Sequence, residues 1–214
     1  MELTVRLLYN YFGGLKMAVK SRRSEISRKT RETEIYAGLD LDGAGISDVA
    51  TGIGFLDHML ELFAKHGMFD LKVRAEGDLN VDAHHTVEDI GIVLGQALKE
   101  AVGDKSGIRR YGSVFIPMDE ALAQSVVDIS GRPFIVFDIP FTLENVGNIS
   151  VELFEEFFRA LAFTAGITLH IKVLYGNNNH HVIEAVFKAF ARSLREAVAV
   201  DPREKGIPST KGVL

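Results

Sequence analysis

The spacing of hydrophobic positions changes period several times along this chain. Ile35, Ala37, Leu39 and Leu41 alternate with Glu34, Tyr36, Gly38 and Asp40, a period of two that predicts a half-buried strand from Thr33. Asp42-Gly43 supplies a turn, and 46–50 returns as a second strand. Beyond Gly52 and Gly54 the run from Phe55 to Ala64 places apolar residues at helical spacing, with Gly67 as its stop. A strand over 68–76, a polar loop over 77–83 and a helix over 84–102 follow. After a connector at 103–112 the pattern predicts strands at 113–118, 121–130 and 133–139, with Gly131-Arg132-Pro133 as a turn. A helix over 151–165 ends at Gly166, a strand covers 167–175, and Gly176-Asn177-Asn178-Asn179 leads into a helix opening at His180.

The order of elements repeats. Each half places two helices on one face of a small sheet, and two halves packed together give an α+β architecture. The expected boundaries are 25–109 for the first half-domain, 110–200 for the second, and 201–214 for an irregular tail carrying Pro202, Gly206, Pro208 and Gly212. Residues 1–24 read as a disordered extension. The apolar patch around Leu7-Leu8-Tyr9 is too short and broken to span a bilayer, no small-residue cleavage site follows it, and Met17 is an alternative start.

The repeat is sharpest at His84-His85-Thr86-Val87-Glu88 and His180-His181-Val182-Ile183-Glu184. At an offset of 96 (180 minus 84) the two helices share His, His, Glu, Leu, Glu, Ala and Val, ending in Glu100-Ala101-Val102 against Glu196-Ala197-Val198. Two cassettes in register point to one ligand set presented twice. On a helix the glutamate lies beside either histidine, three or four residues back. Adjacent histidines diverge by about 100°, so they suit two ions better than one chelate. Imidazole and carboxylate donors favour manganese, iron or zinc, and mixed nitrogen and oxygen ligation leaning to six-coordination favours manganese.

Composition narrows the field. With 24 basic and 29 acidic side chains and a net charge of −5, a general nucleic-acid surface is not expected. No cysteine is present, so every metal ligand must be nitrogen or oxygen; a reducing cytoplasm is compatible. At 214 residues and 47% hydrophobic, the chain is large enough to bury a substantial core without a membrane.

Further ligands follow from the repeat. His58 lies on the first helix of the first half, and Glu155-Glu156 on the equivalent helix of the second, so His58 and Glu156 are expected to complete the two sites. His66 is a candidate substrate contact, and His170, in an apolar strand, reads as structural. Arg109-Arg110, Arg132, Lys188 and Lys211, with Ser209 and Thr210, are candidates for a phosphate. Lys188, eight residues beyond His180, falls near the same helical face.

Thr51-Gly52-Ile53-Gly54-Phe55-Leu56-Asp57-His58-Met59-Leu60, the two HHxxE cassettes, Ser130-Gly131-Arg132-Pro133 and Ile207-Pro208-Ser209-Thr210-Lys211-Gly212-Val213-Leu214 together strongly resemble the imidazoleglycerol-phosphate dehydratase family, from about residue 28 to the C-terminus. The resemblance implies a cytoplasmic lyase of histidine biosynthesis with two Mn2+ ions per active site, converting imidazole glycerol phosphate to imidazole acetol phosphate and water. It implies half-domains of the ribosomal-protein-like left-handed βαβ type, and trimers assembled into an octahedral 24-mer with active sites between subunits. One ion would take His84, Glu156, His180 and Glu184, and the other His58, His85, Glu88 and His181. Glu32 matches a substrate-contacting glutamate, and Arg110, Arg132, Lys188, Ser209 and Lys211 match phosphate contacts. Many members carry histidine where Glu156 stands, and some carry glutamine where Leu62 stands.

The expected chemistry has a physical logic. The hydrogen removed sits on a carbon bearing a hydroxyl and is not acidic, so an electron sink is needed. An azole held between two cations favours the imidazolate, which expels the neighbouring hydroxyl to give a diazafulvene. A carboxylate then takes the carbon-bound proton, and Glu184 and Glu32 are the two candidates. A binuclear metallohydrolase and a non-catalytic, metal-assembled oligomer are the alternatives from other classes.

Overall fold

The computed structural model describes residues 22–214. The first half begins at Arg23, before the expected boundary, so Arg22 to Ser24 belong to the fold rather than to an extension; the rest of that expectation, with the Met17 start, lies outside the described residues. Strands β1 (Arg23–Lys29), β2 (Thr33–Asp40), β3 (Ser47–Ala50) and β4 (Asp70–Gly77) alternate with helices α1 (Gly54–Gly67) and α2 (His84–Val102). The second half supplies β5 (Tyr111–Met118), β6 (Ala121–Asp128), β7 (Phe134–Asp138), β10 (Thr168–Tyr175), α3 (Glu152–Ala165) and α4 (Asn179–Val198). A two-residue hairpin, β8 (Asn145–Val146) with β9 (Ile149–Ser150), precedes α3.

The two sheets have the same topology, β1-β2-β4-β3 and β5-β6-β10-β7. In each, one βαβ unit joins parallel neighbours, β3 to β4 and β7 to β10, and the remaining pairs are antiparallel. β1 lacked a hydrophobic signature because Arg23–Lys29 buries Ile26 alone. With it in place the halves match element for element, apart from the small hairpin.

Both sheets turn one face inward, as in the alternation of β6 (Ala121, Ala123, Ser125 and Val127 buried). The helices fill the space between the sheets, with α1 packed on α4 and α2 on α3. Phe63 stacks on Phe190 with ring centroids 5.5 Å apart, and Phe154, Phe157, Phe158 and Phe187 close the core around them. The α2–α3 contact is closer, because Gly91 and Gly95 lie against the backbone carbonyls of Phe157 and Leu161. α1 ends at Gly67 as expected, and the left-handed residue after it is Met68, at φ 59°.

Contacts along the helices fix their directions. His58 faces Glu184 and Phe63 faces Phe190, so α1 runs parallel to α4. Gly91 and Gly95 face Phe157 and Leu161, so α2 runs parallel to α3. Phe55 meets Phe154 at 5.9 Å, which brings the starts of α1 and α3 together. All four helix N-termini therefore lie at one end of the molecule, where their unpaired N–H groups favour nearby carboxylates.

Candidate metal centre

Both cassettes open their helices in the same way. The backbone N–H of His84 donates to Asp82 Oδ1 at 2.8 Å, and that of His180 donates to Asn178 Oδ1 at 3.0 Å. Each short polar side chain two residues upstream satisfies an otherwise orphan donor in the first turn of the helix. The paired rings then diverge as helix geometry requires, with interplanar angles of 87° in both His84/His85 and His180/His181.

His58, His180 and Glu184 converge, and among the described residues they are the one group of three whose ligand atoms all lie within 4.8 Å of one another. His58 Nε2 is 3.2 Å and His180 Nε2 2.9 Å from the same oxygen, Glu184 Oε1. Adjacent donors in an octahedral shell with bonds of about 2.1 Å stand about 3.0 Å apart, so each nitrogen stands from the shared oxygen at a spacing that fits a divalent first-row cation. Lys188 Nζ holds the other oxygen, Glu184 Oε2, at 2.5 Å. Burial opposes the ionised carboxyl, yet the hydrogen bonds from Lys188, His58 and His180 outweigh it and bring Glu184 down to about 2.

The first cassette is looser. His84 Nε2 stands 4.0 Å from Glu88 Oε2, and both side chains are nearly half exposed. His84 lines a pocket of about 370 Å³ with Gly52, Ile53, Asp82, Ser150 and Glu152, at the starts of α1 and α3. Glu156 lies half-buried on α3, the helix that packs against α2. The expected ligand sets belong to active sites formed between subunits; within a single chain His85, Glu88 and His181 lie outside the group that His58 forms with His180 and Glu184. That group follows from the crosswise packing: the helix of one half that carries the extra donor lies against the cassette helix of the other half.

The second histidine of each cassette has a carboxylate partner that the motif did not reveal. His181 Nδ1 lies 2.7 Å from Glu120 Oε2, and His85 Nδ1 lies 3.0 Å from Asp78 Oδ2. These contacts raise both histidines above the ordinary value, and the His181 bond with backbone donors brings Glu120 down to about 2. Glu32 Oε2 is 3.9 Å from His85 Nδ1, so the two candidate bases belong to different cassettes. His66, on the last turn of α1, is pushed down by burial and by the nearby Lys188 and Arg192 charges.

The basic residues split into two places. Lys188 is engaged with Glu184, two turns from His180. Arg110 pairs with Asp128 through Nε at 2.7 Å and Nη2 at 3.2 Å, and its Nη1 donates to Pro208 O at 2.9 Å. Arg132 Nη2 lies 3.8 Å from the same Asp128, and Ser209 and Lys211 continue the tail beyond Pro208. The Arg110 N–H donates to Ala197 O, at the far end of α4. Seventeen residues of helix separate that point from His180, or about 25 Å at 1.5 Å per residue. Within one chain, the arginine and tail group and the histidine group occupy opposite ends.

Fold and centre together define an α+β protein of two matched halves, with a histidine–carboxylate centre at the shared helix N-termini. The imidazoleglycerol-phosphate dehydratase family model matches residues 51–194. An imidazoleglycerol-phosphate dehydratase of Acetivibrio thermocellus is 62% identical over 193 residues, covering 90% of this chain and 99% of that protein. The Staphylococcus aureus enzyme structure aligns with a TM-score of 0.76 at 45% identity, covering 84% of this chain and 99% of that one. The Pyrococcus furiosus enzyme structure aligns with a TM-score of 0.77 at 38% identity, covering 88% and 100%. The chain belongs to the imidazoleglycerol-phosphate dehydratase family, whose members are hydro-lyases. No helix among the described residues is long and apolar enough to cross a membrane.

Proposed function

We propose that the chain eliminates water from imidazole glycerol phosphate to give imidazole acetol phosphate in histidine biosynthesis. The observation that carries the reading is the convergence of His58, His180 and Glu184, two nitrogens and one oxygen within 4.8 Å of one another, in a chain of this family. The expected cytoplasmic setting rests on that biosynthetic role and on no feature of the fold.

The crosswise packing supports a grouping of ligands across the two halves. His58, His180 and Glu184 hold one cation, and Glu156, on the helix packed against α2, joins His84 and Glu88 for the other. His85 and His181 diverge from their own neighbours and serve ions held with other copies of the chain. Bound Mn2+, two ions per site, would supply the positive charge that lets the azole ring carry negative charge during the elimination. The 25 Å between the histidines and the Arg110, Arg132, Ser209 and Lys211 group is longer than the substrate, which supports a homo-oligomer with active sites between subunits.

The two candidate bases separate on their surroundings. Glu184 has both oxygens engaged and lies at about 2, so it is a poor proton acceptor near neutral pH and a good ligand. Glu32, in the β1–β2 turn with its side chain 56% exposed, has its nearest histidine nitrogen at 3.9 Å. Glu32 therefore takes the carbon-bound proton, the hydroxyl departs as water after gaining a proton, and the resulting enol ketonises. His66, neutral beside Lys188, contacts the substrate.

Metal-free protein reloaded with Mn2+ is to be incubated with imidazole glycerol phosphate and the product weighed by mass spectrometry. Loss of one water with the phosphate retained is the expected result. Release of inorganic phosphate would replace this reading with the metallohydrolase, and metal-driven assembly without turnover would replace it with the structural oligomer.

A further inference from the structure

We propose that Asp78 and Glu120 are a matched pair of positioning residues, each fixing the second histidine of its cassette through Nδ1 so that Nε2 is left for a cation, with Asp119 Oδ2 3.8 Å from Nε2 of His181. The inference rests on reading His85 and His181 as metal ligands. An ionised carboxylate accepts hydrogen bonds and donates none. In the neutral ring, the form that binds a cation, the proton of His181 therefore sits on Nδ1, 2.7 Å from Glu120 Oε2, and that of His85 on Nδ1, 3.0 Å from Asp78 Oδ2. With the proton held there, Nε2 keeps the lone pair a cation needs, and the ring is fixed in orientation before the ion arrives.

The two halves reach this arrangement by different routes. Glu120 closes the β5–β6 turn immediately before β6, the place Glu32 holds immediately before β2. In the second half that turn glutamate takes the histidine. In the first half Asp78, directly after β4, takes it instead, and Glu32 stays 3.9 Å from the same nitrogen. Gly176 stands directly after β10, so the second half has no counterpart of Asp78. The first half has thus moved the orienting task to Asp78, which leaves its turn glutamate free for chemistry. In the second half the equivalent carboxylate remains tied.

Glu120 also ties the loop that opens α4, its Oε1 accepting from the backbone N–H groups of Asn177 at 3.3 Å and Asn178 at 2.8 Å. That second role provides a discriminating variant. In Glu120→Gln the amide oxygen can keep the two backbone donors, while the NH2 group faces Nδ1 and drives the ring proton to Nε2, removing the donor lone pair. Asp78→Ala frees the other ring. The measurement is calorimetric titration of the full-length chain with Mn2+ alone, alongside thermal melting of the metal-free protein.

Glu120→Gln and Asp78→Ala are each expected to weaken Mn2+ binding about 10- to 100-fold, with metal-free melting of Glu120→Gln unchanged. Wild-type affinity in Glu120→Gln would overturn the proposal, as would a pattern in which Glu120→Ala loses both affinity and melting temperature while Glu120→Gln keeps both. A wild-type chain that binds Mn2+ but does not dehydrate the substrate would sink the dehydratase reading and leave this one standing.

Discussion

The two cassettes read almost the same in sequence and sit in different electrostatic settings. In the second, Glu184 is 10% exposed and receives His58, His180 and Lys188, so its charge is held in place before any ion arrives. In the first, Glu88 is 44% exposed and stands 4.0 Å from His84. At the repeat offset, Ile92 occupies the place of Lys188. A duplicated histidine–glutamate cassette thus gives one preassembled cluster and one open half. The outer sheet faces diverge as well: the first carries ion pairs such as Arg23–Asp40 and Arg74–Asp48, while the second exposes Phe115, Phe134, Val136 and Leu174.

The sharpest way to break this comparison is to remove the shared carboxylate. Glu184→Gln should lower turnover by about a thousand-fold or more, since a charged ligand is replaced by a neutral one in the preassembled cluster. Glu88→Gln should cost less Mn2+ affinity, because its cassette is not preorganised; equal losses in a side-by-side titration would erase the distinction. Next in size, Glu32→Gln should reduce kcat about a hundred-fold or more while leaving Mn2+ affinity near that of the wild type. A parallel loss of metal would place Glu32 among the ligands and return the base to Glu184.

Element type was legible wherever burial was one-sided over a long run. The α2 helix and strands β2 and β6 emerge from periodicity alone, because each hides one face. β1 did not, since an edge strand with a single buried residue, Ile26, has no alternation to read. The repeat also singled out His58, which lies with His180 and Glu184. The meeting of His58 with His180 and Glu184 within one chain was not legible, because it depends on α1 lying against α4, which spacing within either half does not encode. Glu120 escaped because it matches Glu32 by topology, one residue before the second strand, and not at the offset that aligns the histidines. An acidic residue in both hairpin turns was the available signal. His170, expected to be structural, is exposed beside Phe134 on the outer sheet face.

The helix pairs extend the comparison to stability. Gly91 and Gly95 of α2 correspond at the repeat offset to Phe187 and Ala191 of α4, so one contact is made by backbone and the other by side chains. A Cβ at Gly95 would lie 2.6 Å from Leu161 O and 2.9 Å from Thr164 Cβ. Gly95→Ala, which copies Ala191 into the first half, should therefore cost about 2 kcal/mol by overpacking, even after the helix-propensity gain. Urea unfolding of the metal-free chain measures it, and an unchanged midpoint would show that α2 and α3 can move apart without loss.

The smallest expected effect concerns the lysine clamp that makes the second cassette unlike the first. Lys188→Met leaves Glu184 buried with two hydrogen bonds, a loss of about 1.5 kcal/mol at neutral pH for one charge-assisted bond. The pH dependence gives the sign. The folded carboxyl lies at about 2, below its ordinary 4.5, so the folded state binds fewer protons and gains stability above 4.5. That gain is lost as pH falls from 4.5 through 2. Without the lysine, burial is opposed by the histidines alone and the folded value moves back up, so the variant has less of this stability to lose. Melting temperatures of wild type and Lys188→Met, both metal-free, should differ fully at pH 7 and converge between pH 4.5 and 2. A gap that stays constant across that window would show that Lys188 acts through other contacts, such as the hydrogen bond its Nζ donates to Met118 Sδ at 3.3 Å, and not by holding the charge of Glu184.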